Sequence, residues 1–278
     1  MTLHRKGVGR AVVYIFLILF LIVELFPILW VVATSFKTSI DIFNWPPKIW
    51  PDPVTLSNYA YIFNDMNLQN YLLNSIIVAI ITTVICIVIG IPCAYAISRF
   101  RTGGKGLSSW ILMQRMIPSV AIIIPLFILL WKIHLLDTWF GLAIAHVTYS
   151  LPFGIWLMIG FFGDIPIELE ESGMVDGCTR MGAFRHITLP LVVPGLVAMA
   201  VLIAIQSWNE FLYAVILTSS RKSQTLPVVI SVLVHPVTDI LYGEMCAAAV
   251  VAIIPVFIFT LSIQKYLVRG LTAGSVKG

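Results

Sequence analysis

Six stretches of this chain are long and apolar enough to cross a bilayer, and they limit what it can fold into more than any other feature. They run from about Ala11 to Phe36, Leu72 to Ser98, Ser109 to Trp131, Gly141 to Phe162, Leu191 to Leu217 and Met245 to Leu267. A hydrocarbon core of about 30 Å takes roughly 20 apolar residues per helix. Each stretch is far longer than the ~10 alternating residues of a membrane β-strand, and backbone groups in lipid need partners within their own segment. The expected fold is therefore all-α, a polytopic membrane protein with six transmembrane helices. Only 11% of the 278 residues are charged, against about 25% in a soluble domain, which is too few to cover a water-facing exterior.

The first stretch follows Arg5, Lys6 and Arg10, as the apolar run of a signal peptide would. It is too long for one and shows no small-residue cleavage site before Phe36, so it is expected to stay as the first span. Cytoplasmic ends of spans keep Lys and Arg. With six spans both termini share a side, and that side holds Arg5, Lys6, Arg10, Arg99, Arg101, Lys105, Arg180, Arg185, Lys265, Arg269 and Lys277. The other holds Lys37, Lys48, Lys132, Arg221 and Lys222, while Arg115 lies inside the third span. Eleven against five places both termini in the cytoplasm. The same bias accounts for the net charge of +4, so no nucleic acid is implied. Of the four cysteines, Cys86, Cys93 and Cys246 fall in spans and Cys178 in a cytoplasmic loop, with no disulfide or metal-site spacing.

Three segments outside the spans are long enough to act on their own. Lys37 to Tyr71 faces outward and carries Trp45, Trp50 and four prolines, which reads as a stiffened cover at the membrane interface. Thr218 to Glu244 also faces outward, and its His235 has no zinc spacing around it. Residues 163–190 face the cytoplasm and hold five acids, Asp164, Glu168, Glu170, Glu171 and Asp176, followed by Arg180, Arg185 and His186. Pro166 can start a helix whose first turns favour the acids. Gly177 breaks it, and a second short helix from about Thr179 would set Met181, Phe184 and Ile187 near one face before Pro190. The loop is either a solvated connector or a docking element for a soluble partner, and an apolar stripe on a cytoplasmic helix favours docking.

The same loop resembles the signature of binding-protein-dependent ABC importers, written Glu-Ala-Ala, three residues, Gly, nine residues, Ile, one residue, Leu-Pro. Here it reads Glu171-Ser172-Gly173, three residues to Gly177, nine to Ile187, then Thr188 and Leu189-Pro190. Ser172 and Gly173 stand where the family has alanine, and Gly costs about 1 kcal/mol against Ala in a helix. The resemblance implies the type I ABC importer permease fold, with a cytoplasmic helix that sits in a cleft of an ATPase subunit. It implies that Glu171, Ser172, Gly173, Asp176 and Gly177 form the coupling joint. The end of the chain, Gly270-Leu271-Thr272-Ala273-Gly274-Ser275-Val276-Lys277-Gly278, is similar to the tail of maltose-type sugar permeases of the six-span kind. Trp208-Asn209-Glu210-Phe211 is similar to an element of the same group. This implies a tail that reaches the ATPase interface through Thr272, Gly274 and Lys277. It also implies import of a mono-, di- or oligosaccharide or related polyol by alternating access. The partners implied are a second permease of different sequence, two ATPase subunits carrying ATP and Mg, and an extracytoplasmic sugar-binding protein, in a bacterial cytoplasmic membrane. The chain itself is expected to bind no cofactor or metal and to be no enzyme. The expected division is 1–71 for the tail, first span and outward loop, 72–267 for the transmembrane domain with its loop at 163–190, and 268–278 for the second tail.

Ionisable groups at mid-membrane cost roughly 2.5 to 3.5 kcal/mol at a helix centre, so they face protein or water. Glu24, Arg115 and Glu210 are such groups. Gln206, Asn209 and Glu210 could hydrogen-bond sugar hydroxyls along the substrate path or hold neighbouring helices together. Arg115 could pair with Glu24 or Glu210 and so fix the bundle. Pro118, Pro125, Pro152 and Pro255 free backbone groups within spans and could permit bending. Gly103-Gly104-Lys105-Gly106 lacks the spacing of a phosphate loop. A secondary transporter driven by an ion gradient remains the alternative, although no internal repeat is visible. A membrane enzyme would need a paired nucleophile and base or a metal cluster, and neither pattern is present.

Overall fold

The computed structural model describes residues 3–233 and 241–273, and all regular structure among them is helical. The helices are α1 (Leu3–Ser35), α2 (Ser39–Ile42), α3 (Ser57–Asn64), α4 (Leu68–Phe100), α5 (Gly104–Met113), α6 (Ser119–Lys132) and α7 (Trp139–Gly163). They continue with α8 (Glu168–Val175), α9 (Arg180–Ala183), α10 (Leu189–Leu191), α11 (Val193–Trp208), α12 (Leu212–Leu217), α13 (Leu226–Val232) and α14 (Tyr242–Ala273). A π-helical turn, Phe184–Thr188, joins α9 to α10. The chain forms two compact units, one of Met1–Leu68 with Ile230–Ile253 and one of Gln69–Val229 with Ile254–Gly278.

Among the described residues four helices are long and apolar enough to cross a membrane: Val13–Ser35, Leu68–Phe100, Trp139–Gly163 and Tyr242–Ser262. Two bent pairs bring the number to six if each is one span, Gly106–Met116 with Ser119–Lys132 at 90° and Arg180–Leu191 with Val193–Trp208 at 70°. The third apolar stretch is thus bent rather than continuous, while the fifth is entered through a bend at Val192 and broken between α11 and α12. In the third, Ile117 is extended (φ −71°, ψ 125°), the conformation that a following proline imposes, and Pro118 then heads α6. In the fifth, a helix continued through Val192 would set the Pro194 ring against the carbonyl of Pro190, so α10 stops and α11 starts in a new direction. Pro125, Pro152 and Pro255 lie inside helices that continue past them.

In the first unit, α1 exposes every large apolar side chain from Val13 to Phe26, as suits a helix meeting lipid or other protein on all sides. Beyond its end the chain is pegged rather than loose. Asn58 of α3 donates to the carbonyls of Ser35 and Lys37, both at 2.9 Å. The buried Lys37 ammonium donates to the Lys48 carbonyl at 2.6 Å and lies 4.3 Å over the Trp30 ring. Trp45 and Trp50 stay exposed, as an interfacial cover requires.

The second unit has a core in two tiers. One joins Val78 of α4, Leu126 and Leu130 of α6, Leu142 and Ala145 of α7, and Tyr213 and Leu217 of α12. The other joins Cys86, Ile91, Ala94 and Ile97 of α4, Ile155, Met158 and Phe162 of α7, and Met199 and Ile203 of α11. Lipid is as apolar as leucine, so close packing rather than water exclusion holds such helices together, and small residues permit it. The Met199 side chain fills the gap between Gly90 and Gly154, its methyl 3.0 Å from where a Cβ on Gly90 would stand. Gly154→Leu is expected to destabilise the protein by about 1–3 kcal/mol through overpacking. A lowered thermal midpoint in detergent, partly restored by adding Met199→Ala, would show it.

Candidate functional site

The sequence of residues 163–190 folds as a helix, a glycine turn and a second short helix. The helix α8 starts two residues after Pro166 with Glu168, Glu170 and Glu171 in its first turn, where the helix dipole stabilises them. It ends in a Schellman cap, in which Gly177 (φ 94°) donates to Met174 and Cys178 to Gly173. A side chain on Gly177 would meet open space, so this glycine is required by its backbone angle and not by crowding. Thr179 then caps α9 by accepting from the Gly182 amide at 3.1 Å.

Four of the five residues placed at the coupling joint, Glu171, Ser172, Asp176 and Gly177, are exposed on one side of this element. Gly173 is buried, and a Cβ there would overlap the Ile187 side chain. The small residue and the isoleucine of the signature thus touch, which gives their fixed spacing a physical reason. The expected apolar stripe is mostly used inside the chain. Phe184 packs 4.5 Å from Tyr95 and Ile187 on Gly173, leaving Met181 exposed. The apolar surface the loop presents outward comes from Ile167, Leu169 and Met181 and above all from Val175, which is 87% exposed.

The residue that anchors the loop is Glu170, 5% exposed. Its Oε1 accepts from Arg99 Nε at 2.7 Å and from Thr188 Oγ1 at 2.7 Å, and its Oε2 accepts from Tyr95 at 2.8 Å. Arg99 Nη1 also donates to the Ile165 carbonyl at 3.0 Å. Burial alone pushes the Glu170 carboxyl up, but the hydrogen bonds from Thr188, Tyr95 and Arg99, with the Arg99 charge, hold it below the ordinary carboxylate range. Sequence reasoning missed this role. The available signal was helical spacing, since Glu170 and Gly173 stand three apart on one face of α8 and both are buried.

On the other side of the second unit, the turn before α7 and residues 218–226 are bolted together. Asp137 accepts from the amides of Ser219 at 2.8 Å and Ser220 at 2.9 Å and from the Ser223 hydroxyl. Burial pushes its carboxyl up, and these donors outweigh burial and hold it far below the usual range. Asn74 of α4 donates to the carbonyls of Arg221 (3.1 Å) and Gln224 (2.8 Å) and accepts from Trp139 Nε1 at 2.9 Å. Ser75 accepts from the Leu226 amide at 2.8 Å.

The polar segment of the fifth stretch interrupts it. Between α11 and α12, Glu210 accepts from the amides of Tyr213 (2.9 Å) and Ala214 (3.1 Å), which the break leaves without helical partners. Its Oε2 lies 3.2 Å from His146 Nε2, close enough for an ion pair although not aligned as a hydrogen bond. His146 Nδ1 meets Ser207 at 2.7 Å. Glu210 therefore pairs with His146 and not with Arg115, which lies 4.8 Å over the Phe153 ring. Asn209 is exposed and turned back onto the Ile205 carbonyl at 3.0 Å. Gln206 keeps a buried Oε1 without a hydrogen bond. The hollow beside α11, about 460 Å³, is lined chiefly by apolar side chains such as Ile80, Val84, Val201 and Phe259. Such a lining cannot replace the hydration of a sugar.

Of the tail residues, Thr272 falls in the last turn of α14, while Gly274 and Lys277 lie outside the described residues, as do His235 and Asp239. Among the described residues no group of three His, Cys, Asp or Glu side chains could hold a metal ion.

Comparison with known proteins gives a consistent result. The family described as binding-protein-dependent transport system inner membrane component matches residues 86–273. The trehalose transport system permease protein SugB of Mycobacterium tuberculosis is 38% identical over 261 residues, 91% of this chain and 93% of that protein. The trehalose/maltose transport system permease protein MalG of Thermococcus litoralis is 34% identical over 99% of this chain and all of its own length. Among solved structures, a chain of a bacterial ABC transporter that imports the acidic polysaccharide alginate superposes with a TM-score of 0.82. It is 23% identical, covering 96% of this chain and 99% of that one, and it shows the fold.

Removing the Glu170 carboxylate leaves a buried guanidinium without its partner, and Glu170→Ala is expected to cost about 3–5 kcal/mol. Because the native carboxyl is depressed, its stabilisation is complete above about pH 5 and is lost as pH falls through the lowered native value. Thermal unfolding against pH should show that acid-side loss in wild type and a flatter acid arm in the variant.

Proposed function

The chain belongs to the family of binding-protein-dependent transport system inner membrane components, and from that premise we propose that it imports a carbohydrate by alternating access, driven by ATPase subunits docked on α8. It is a multi-pass inner-membrane transport component and not itself an enzyme. With the family, the alternative of an ion-gradient transporter falls away. The observation that carries the docking reading is the loop's two-sidedness. Glu170 and Gly173 fasten α8 from within while Glu171, Val175, Asp176 and Gly177 face out. Two ATPase subunits carrying ATP and Mg, and an extracytoplasmic binding protein, are the partners this reading requires.

Carbohydrate as the cargo rests on relatives named for trehalose and maltose transport. A second permease of different sequence belongs to this reading, and among the described residues Gln206, Asn209 and Glu210 do not line the apolar hollow beside α11, so a sugar route needs groups from that partner. Glu210 is occupied by the α12 turn and His146, which favours its role in holding the bundle, and leaves the exposed Asn209, with Gln206, as the groups available to a route shared with the partner. The C-terminal residues Thr272, Gly274 and Lys277 belong in this reading to the ATPase interface. In this reading α8 and both termini lie in the cytoplasm, which the concentration of Lys and Arg on that side supports.

Two measurements test this reading. In the co-expressed complex, Gly177→Asp should retain assembly but lower binding-protein-stimulated ATP hydrolysis by roughly tenfold, about 1.4 kcal/mol of coupling. Gly177→Ala carries the same backbone strain without the charge and should lose less. Equal stimulation in wild type and Gly177→Asp would refute the coupling role. For orientation, alkaline phosphatase fused after Gly278 should be inactive, and fused after Lys222 it should be active. The reverse pattern would invert the topology.

A further inference from the structure

α8 is joined by the chain itself to α7 on one side and to α11 on the other, so those helices follow its movement by connectivity. α4 has no such link. We infer that α4 is a tie between the two faces of the membrane, fastened to α8 by Glu170 and to the outer loop 218–226 by Asn74, so that ATP-driven movement of α8 reaches the outer loop through it. This rests on the reading of α8 as the ATPase-docking helix and makes Glu170 and Asn74 positioning residues.

The inner fastening resists both pulling and sliding. Three donors from two elements converge on one carboxylate, and Arg99 grips the exit of α7 as well. Drawing α8 away from α4 would leave a carboxylate and a guanidinium, each about 7% exposed, without partners in a poorly hydrated site. Lateral movement is opposed by the Tyr95 ring, wedged 4.5 Å from Phe184 and 5.6 Å from Phe162. Between its ends α4 runs unbroken from Leu68 to Phe100, unlike the bent third and fifth stretches, and contributes to both tiers of the core. At the outer end, Asn74 uses its amide and its carbonyl oxygen at once, holding Arg221, Gln224 and Trp139, while Ser75 takes the Leu226 amide. These backbone contacts hold the loop whatever side chains it carries.

The test is spin-label distance measurement in the assembled complex in lipid, with and without ATP and vanadate. One label pair joins Val175→Cys on α8 to Val88→Cys on α4, and a second joins Val88→Cys to Lys222→Cys on the outer loop, in a background lacking the native cysteines. All three positions are exposed. Both distances are expected to change by less than ~2 Å on trapping, and Glu170→Gln is expected to free the first pair and Asn74→Ala the second. A shift of about one helical turn, roughly 5 Å, in either wild-type pair overturns the tie. Distances that stay fixed in both variants overturn the assignment to Glu170 and Asn74. Co-purification of the ATPase subunits is scored separately. Their absence from the wild-type complex would overturn the docking reading itself, and this inference with it.

Discussion

A polar group withdrawn from water without a partner costs several kcal/mol, and nearly every feature of this protein answers that one demand. Along the spans the helical backbone meets it internally, which leaves apolar side chains free to face lipid, as they do around α1. At two interruptions a side chain supplies what the backbone has lost. Glu210 takes the amides at the start of α12, and Asp137 takes those of Ser219 and Ser220. Acids at these positions are therefore structural first, and their chemistry is already committed.

The interruptions differ in cause and in consequence. Pro118 and Pro194 bend the third and fifth stretches because a ring stands where a continuing helix needs an amide hydrogen. The π turn at Phe184–Thr188 widens the helix just where Thr188 must reach Glu170. A regular α-helix through these residues would turn Thr188 to another azimuth.

Packing in the second unit obeys a complementary rule. Gly90 and Gly154 accept Met199, Gly195 accepts the Phe161 ring, and Gly173 accepts Ile187, so the close approaches fall at positions without side chains. The same device that joins spans within the bundle joins α8 to the segment that re-enters it. The loop of residues 163–190 is thus an extension of the bundle's packing, fastened on one side and open on the other.

The sequence alone determined the all-helical membrane architecture, because length and hydropathy leave the backbone no other means of satisfying itself in lipid. It also determined the helix, turn and helix of residues 163–190, since Pro166, the clustered acids and Gly177 act through local dihedral and dipole preferences. Glu171, Asp176 and Gly177 were singled out by the resemblance of residues 171–190 to the importer signature. Only the tertiary structure decided that the adjacent Glu170 is the buried anchor, that Glu210 meets His146 and not Arg115, and that Asn74 holds the loop of residues 218–226. Each of these joins residues more than sixty positions apart, as Arg99 and Glu170 are, and no local preference carries that distance. Such pairs form because the folded bundle leaves each group no water, and which partner it then finds is a property of the whole packing.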